Sequence, residues 1–212
     1  MKGAEDYDEI ARKCVPYYEA FYGTVLDFIH KDDKKILELA CGTGILTEMI
    51  VAKCPGAKVT CLDSDAWMIK KAGEKPRLSG VEFIEGDMRD APGSGYDAVV
   101  VTQAIFFIPD QDRRKLIANV HGMLNEGGRF ISGDMFAPGT DFEKEIYKKN
   151  WVRLMLSNGL SPAEAENMIA PLDDFCGENT IASFSAELED AGFSPVISPY
   201  RWGYYGIVVG YR

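Results

Sequence analysis

The stretch Ile36-Leu37-Glu38-Leu39-Ala40-Cys41-Gly42-Thr43-Gly44 decides how the rest of the chain reads. Ile36 to Ala40 suit a short strand that runs into the glycines, and Thr43 to Lys53 suit a helix leaving them. A strand that passes through glycine into a helix lets backbone N–H groups approach a ligand with no Cβ in the way. Such a turn alone is equally well a tight structural connection. Two features further along give it meaning. The strand Val59 to Leu62 ends at Asp63, about twenty residues on, where a carboxylate can accept hydrogen bonds from both hydroxyls of a ribose. The strand Val81 to Ile84 ends near Asp87-Met88. In an open α/β sheet these strand ends share one carboxyl edge and surround one crevice.

The spacing narrows the ligand. A dinucleotide site asks for G-x-G-x-x-G, whereas Ala40-x-Gly42-x-Gly44 is followed by Ile45-Leu46-Thr47 without a further glycine. No Gly-Lys-Ser/Thr is present, which excludes a P-loop. Glu38 would repel a phosphate, but it can help hold an ammonium through water.

Outward from the turn, strands and helices alternate. Asp65 to Ala72 is helical and Asp97 to Val101 is a β-branched strand. Gln111 to Leu124 is a helix closed by Asn125-Glu126-Gly127-Gly128, and Arg129 to Ser132 is the next strand. This alternation predicts a parallel sheet with helices on both faces. Upstream, the first thirty residues read as helix, break, helix, with Tyr18, Phe21, Tyr22, Val25 and Ile29 on one face. From Asp141 to Thr180 the alternation stops. One helix there carries Tyr147, Trp151, Leu154 and Met155 and ends at Asn158-Gly159, and another starts at the capping box Ser161-Pro162-Ala163-Glu164. Phe184 to Ala191 is a last helix, stopped by Gly192. Phe193 to Ser198 and Tyr204 to Tyr211 are closing strands joined by the aromatic connection Tyr200-Arg201-Trp202-Gly203. The expected organisation is one domain over 1–212, with lid helices at 1–30 and a helical insert or cap at 141–180.

Composition limits the partners. Lys and Arg number 23 against 33 Asp and Glu, a net charge of −10, which suits a nucleic-acid backbone poorly. No stretch approaches the roughly 18 apolar residues of a membrane span, and the N-terminus lacks the apolar core of a signal peptide. The five cysteines, Cys14, Cys41, Cys54, Cys61 and Cys176, are odd in number and lack CxxC spacing. A reducing, cytoplasmic setting is expected, without disulfides or a zinc knuckle.

At this point a family resemblance is plain. Ile36 to Gly44 resembles motif I of the class I S-adenosylmethionine-dependent methyltransferases, with Ala40 where many members have glycine. Asp63 resembles their ribose-binding acid, and Glu85-Gly86-Asp87-Met88 resembles the segment that reads adenine. Leu124 to Arg129 resembles the turn before their fifth strand, and Phe184 to Phe193 their last helix and turn. The resemblance runs from about Lys35 to the C-terminus, with 141–180 matched least. It implies a seven-stranded, mostly parallel Rossmann-like sheet in the order 3-2-1-4-5-7-6, with strand 7 antiparallel. It points to the small-molecule, ubiquinone/menaquinone-type branch.

For the site, the resemblance implies that S-adenosylmethionine lies against Glu38, Ala40, Cys41, Gly42, Gly44, Asp63, Ser64, Met68, Asp87, Met88, Gln103 and Ala104. Residues 103–107 should flank the sulfonium. Aromatic rings favour a sulfonium and an apolar acceptor alike, so Tyr17, Tyr18, Tyr22, Phe106, Trp151, Trp202 and Tyr204 are the candidate acceptor wall. Asp134, placed just beyond strand five, and Gln103 are the candidates for a catalytic role. His30 and His121 read as helix residues away from the crevice. No Asn-Pro-Pro-Tyr sequence follows strand four, which disfavours the amino-methylating DNA and protein-glutamine groups, and no Asp/Asn pair has magnesium-type spacing, so no metal is expected. The expected partner is a small, partly apolar or aromatic methyl acceptor, taken by in-line transfer through positioning and desolvation in a monomer or homodimer.

Other readings stay open. The layout from Asp141 onward is also similar to enzymes that make or use carboxy-S-adenosylmethionine in tRNA wobble-uridine modification. These need a cation near the cofactor methyl, which Arg153 or Arg201 could supply. An arsenite methyltransferase would need converging thiols. A non-catalytic S-adenosylmethionine-binding protein and an NAD-dependent oxidoreductase complete the set.

Overall fold

The computed structural model of the protein describes residues 4–173 and 179–212, so Cys176 lies outside the described residues. Its strands are β1 (Lys35–Leu39), β2 (Lys58–Asp63), β3 (Glu82–Glu85), β4 (Tyr96–Thr102), β5 (Leu124–Met135), β6 (Val196–Trp202) and β7 (Tyr205–Tyr211). They form one sheet in the order β3-β2-β1-β4-β5-β7-β6. The first five are parallel, and β7 runs antiparallel to β5 and β6. The helices are α1 (Ala4–Cys14), α2 (Tyr18–Asp27), α3 (Ile45–Lys53), α4 (Ala66–Gly73), α5 (Asp110–Met123), α6 (Asp141–Ser157), α7 (Pro162–Ile169) and α8 (Ile181–Asp190).

The two-sided burial of the sheet follows from its central strands. Ala98, Val99, Val100 and Val101 of β4 are all fully buried, because side chains alternate between two covered faces. Ile36, Ala98, Val100, Ile131 and Val209 join one core with Phe21, Val25 and Ile50. Leu37, Leu39, Val99, Val101 and Phe130 join the other with Leu116, Ile117 and Phe184. The expected face of α2 is buried as read, from Tyr18 through Phe21, Tyr22 and Val25. Burying such side chains contributes about 1.5–3 kcal/mol each, and these helices hold their places mainly through it.

Three parts of the chain differ from the sequence reading. The expected turn at Asn125-Glu126-Gly127-Gly128 lies inside β5. Leu124 pairs with Tyr96 and Arg129 with Ala98, so the four residues form an irregularity in a longer strand. The same strand runs on to Met135, so Asp134 is a buried residue within the strand and not one just beyond it. Tyr200, Arg201 and Trp202 belong to β6 and pair with Ile207, Gly206 and Tyr205, which shrinks the expected aromatic connection to Gly203-Tyr204. Aromatic residues fit a pleated surface well, and here they extend the strand.

The segment 141–180 contains the two expected helices, and the capping box at Ser161 and Glu164 forms. Trp151 is buried and its indole Nε1 donates 2.7 Å to the carbonyl of Cys14 at the end of α1. Its ring also meets Tyr205 edge-on at 5.4 Å. The insert is therefore wedged against α1 and the β6–β7 hairpin.

Candidate cofactor site

The site begins where β1 stops. Ala40, Gly42 and Gly44 all have left-handed backbone, with φ of 53°, 56° and 82°. At Gly44 the left-handed backbone favours glycine, and a Cβ would also press on Leu78 Cδ1 at 2.7 Å and on Ala72 Cβ at 3.3 Å. Ala40 tolerates its left-handed turn at a cost of about 1–2 kcal/mol.

Asp63 pins the turn from the next strand. Its Oδ2 accepts the N–H of Gly42 at 2.7 Å, and its Oδ1 accepts the N–H of Asp65 at 2.9 Å. A carboxylate has about four lone-pair sites, so two remain for a ligand. Asp65 caps α4 by accepting from the N–H groups of Trp67 and Met68.

Glu38 lies beneath the turn, 1% exposed. Thr47 Oγ1 donates to it at 2.6 Å, and the Cys61 thiol does so at 3.6 Å. Burial pushes its carboxyl up to about 7, against the two hydrogen bonds that favour the ion. A folded-state value above the unfolded one places the stability gain at low pH, and it is lost as pH rises through about 7. Glu38→Gln is therefore expected to be more stable than the wild type at pH 8, by up to about 3 kcal/mol, with no difference near pH 4. Urea denaturation at both pH values reads this out.

A cavity of about 340 Å³ opens above these residues, between the ends of β1 and β4. A second, of about 290 Å³, continues it toward β3 and shares Ala40, Asp63, Ser64, Met88 and Ile108 with the first. The two lie at the carboxyl edge, where the strand order reverses, the usual ligand position in a doubly wound sheet. Every residue expected at the cofactor, Gly44 excepted, lines one cavity or the other. Asp87 lines the smaller one, but not as an unengaged carboxylate. Arg89 donates to it through Nε at 2.9 Å and Nη2 at 2.5 Å, and reaches Asp112 through Nη1. The guanidinium holds the Asp87 carboxyl below the usual carboxylate range.

The first helix was missing from the sequence-based site. Asp8 accepts from Thr43 Oγ1 at 2.5 Å and from Lys75 Nζ at 2.8 Å, and Lys75 also meets Glu48 at 3.2 Å. These bonds lay α1 across the glycine turn and bring Tyr7 into the larger cavity. Only distant partners in the fold mark Asp8 and Tyr7, and no motif does.

The expected aromatic wall largely dissolves. Of its members, Tyr22 alone lines the larger cavity. A Cβ on Gly133 would come within 2.9 Å of Phe21 Cζ, so the bare glycine lets α2 pack down on β5 and carries Tyr22 to the strand ends. Tyr17 and Tyr18 line a separate outer cavity with Arg12, because the chain turns left-handed at Tyr17, with φ 48°. Trp202 packs edge-on against Tyr17 at 5.6 Å on that outer side. Trp151 and Tyr204 are buried in the core, and Phe106 packs against the same core from the 3₁₀ turn after β4.

The two catalytic candidates part company. Gln103 lines the cavity with φ 56°, and its Nε2 donates to the Tyr22 hydroxyl at 2.9 Å. Asp134 lies outside the cavity lining and is 0% exposed. It accepts the N–H groups of Ala104 at 3.0 Å, Ile105 at 2.6 Å and Met135 at 2.7 Å. It positions the turn after β4 and touches no ligand space. No Lys, Arg or His is among the described residues lining the larger cavity. Arg153 is exposed, Arg201 lies over the Tyr147 ring, and His121 packs on Phe193. The described residues contain no group of His, Cys, Asp or Glu that could hold a metal ion, and no helix long and apolar enough to cross a membrane.

Comparison with known proteins agrees with this geometry. Residues 36–128 match a family model described as a methyltransferase domain. A carboxy-S-adenosyl-L-methionine synthase of Nautilia profundicola is 24% identical over 99% of this chain and 92% of its own length. One from Shewanella oneidensis is 24% identical over 89% and 81%. Among solved structures, an O-methyltransferase family protein from Burkholderia thailandensis superposes with a TM-score of 0.66 at 16% identity, over 92% of this chain and 55% of that one. Magnesium protoporphyrin IX methyltransferase from Synechocystis, solved with S-adenosylmethionine, gives 0.60 at 17% over 92% and 77%. The chain spans about half the length of the Burkholderia structure. Residues 36–128 thus match a methyltransferase domain model, and the chain has the fold of the class I, Rossmann-like S-adenosylmethionine-dependent methyltransferases.

Proposed function

We propose that the chain binds S-adenosylmethionine along the joined cavities and delivers its methyl group to a small, partly apolar or aromatic molecule. The observation that carries this reading is Asp63, held at the crevice by Gly42 and Asp65 with acceptor capacity left for ribose hydroxyls. Glu38, which ionises as pH rises through about 7, gives the inner wall a carboxyl suited to an ammonium, and Met68 and Met88 offer polarizable apolar surface. The bound cofactor supplies an electrophilic methyl carbon. The chain's own part is to orient, to exclude water and to hold the acceptor in line. Positioning of the acceptor against the methyl carbon is the main means.

A second reading has a specific ground in the relatives named as carboxy-S-adenosyl-L-methionine synthases. It needs recognition of an extra carboxylate on the transferred carbon. Arg153 and Arg201, the cations weighed for that role, line neither cavity, and this favours a plain methyl donor.

Calorimetry tests both. S-adenosylhomocysteine is expected to bind with a micromolar dissociation constant and NAD to give no heat. Silence toward S-adenosylhomocysteine sinks the first reading. Carboxy-S-adenosylmethionine binding more tightly than S-adenosylmethionine would favour the second.

A further inference from the structure

Tyr22 and Gln103 line the cavity away from the glycine turn, with Tyr205 bonded behind Gln103, and the three share no sequence motif. Tyr205 OH donates to Gln103 Oε1 at 3.5 Å, and Gln103 Nε2 donates to the Tyr22 oxygen at 2.9 Å. Tyr22 and Tyr205 are each 3% exposed, so both phenols are largely withdrawn from bulk water. The amide fixes the direction of the chain of bonds. A phenol that accepts from an amide N–H still has its own hydrogen to give, and burying an unused donor costs about 1–3 kcal/mol. Tyr22 lines the cavity, so an acceptor for that hydrogen would come from a ligand. Burial keeps the Tyr22 phenol in its neutral form by pushing its pKa well up, so it serves as a donor and not as a base.

We infer that Tyr22 binds the methyl acceptor by donating a hydrogen bond to an uncharged oxygen on it, with Gln103 and Tyr205 as the positioning residues that aim the phenol. The inference rests on the proposed function, since it takes this end of the cavity as the acceptor side. It selects a phenol, alcohol or carbonyl compound over a hydrocarbon of the same shape. A ligand without the oxygen would leave the donor unpaired, and such mismatches discriminate strongly. It also gives Gln103 a reason to keep a left-handed backbone. The turn is strained, yet it places the amide between two phenols.

The test uses the full chain saturated with S-adenosylhomocysteine, after calorimetry has established that binding. Ligand-observed NMR then compares 4-methylphenol with toluene. The phenol is expected to bind about tenfold more tightly, the effect of one neutral hydrogen bond. In Tyr22→Phe, which keeps the ring, the preference should vanish. In Gln103→Leu it should shrink to about threefold, because the phenol is no longer aimed. Variants are compared at saturating S-adenosylhomocysteine, with each variant's own affinity and melting temperature measured, so a folding defect is visible separately. Equal binding of the two probes, binding of neither, or a preference that survives Tyr22→Phe overturns the inference and leaves the cofactor reading standing. Failure of S-adenosylhomocysteine to bind the wild type removes both.

Discussion

Asp63→Ala is expected to weaken S-adenosylhomocysteine binding at least about 100-fold while leaving the chain folded. Two losses combine. The side chain offers the free acceptor sites of the crevice, and it also holds the N–H groups of Gly42 and Asp65 in place. Without it the glycine turn keeps its other anchors. Gly44 N–H still bonds to the Cys41 carbonyl at 3.0 Å, and Cys41 N–H to the Leu62 carbonyl at 3.1 Å. The stability cost is therefore modest, about 1–2 kcal/mol for partly solvated donors. Asp63→Asn keeps one acceptor oxygen and should fall between, near tenfold. Calorimetry beside a thermal melt reads both quantities, and an affinity unchanged in Asp63→Ala would mean that the ribose lies elsewhere.

Asp134→Ala is expected to act the other way, on the fold first. The carboxylate is fully buried and accepts three backbone N–H groups that have no route to water. Removing it orphans all three, and the summed penalty is about 3–5 kcal/mol, a large share of a domain's total stability. Urea denaturation at pH 7 should show the midpoint collapse. Asp134→Asn recovers part of the loss, since its amide oxygen accepts while its NH₂ faces donors. Burial pushes the wild-type carboxyl up to about 6. Its stabilising share is thus greatest below the ordinary carboxylate range and declines as pH rises through about 6, a slope that the Asn variant should lack. A stability near wild type in Asp134→Ala would show that the turn after β4 is held by something else.

The parts legible in the sequence were those governed by short-range patterns. The glycine turn, the acids at strand ends and the capping box at Ser161 each depend on neighbours a few residues away. The site's upper half was not legible, for a physical reason. Tyr7 and Tyr22 enter the cavity only because Asp8 meets Thr43 and Lys75, and because Gly133 admits Phe21. These contacts join residues far apart in the chain and leave no local trace. Aromatic residues misled in the same way. Trp151 and Tyr204 are chemically suited to a sulfonium, but burial against α1 and β7 uses them as core. Asp134 read as a polar strand end because the length of β5 is set by its pairing with Ile207, Gly206 and Tyr205, far downstream.

Ala40 and Gln103 stand just past the paired strands β1 and β4, and both hold backbone angles that glycine would adopt with less strain. For anyone engineering a hardier version of this protein, the two look alike on a map of backbone strain. They are not interchangeable. Glycine at 40 removes only a methyl group, whereas glycine at 103 deletes the amide between two phenols. A design rule that scores conformation alone would thus trade away two side-chain hydrogen bonds at one of two equal-looking positions.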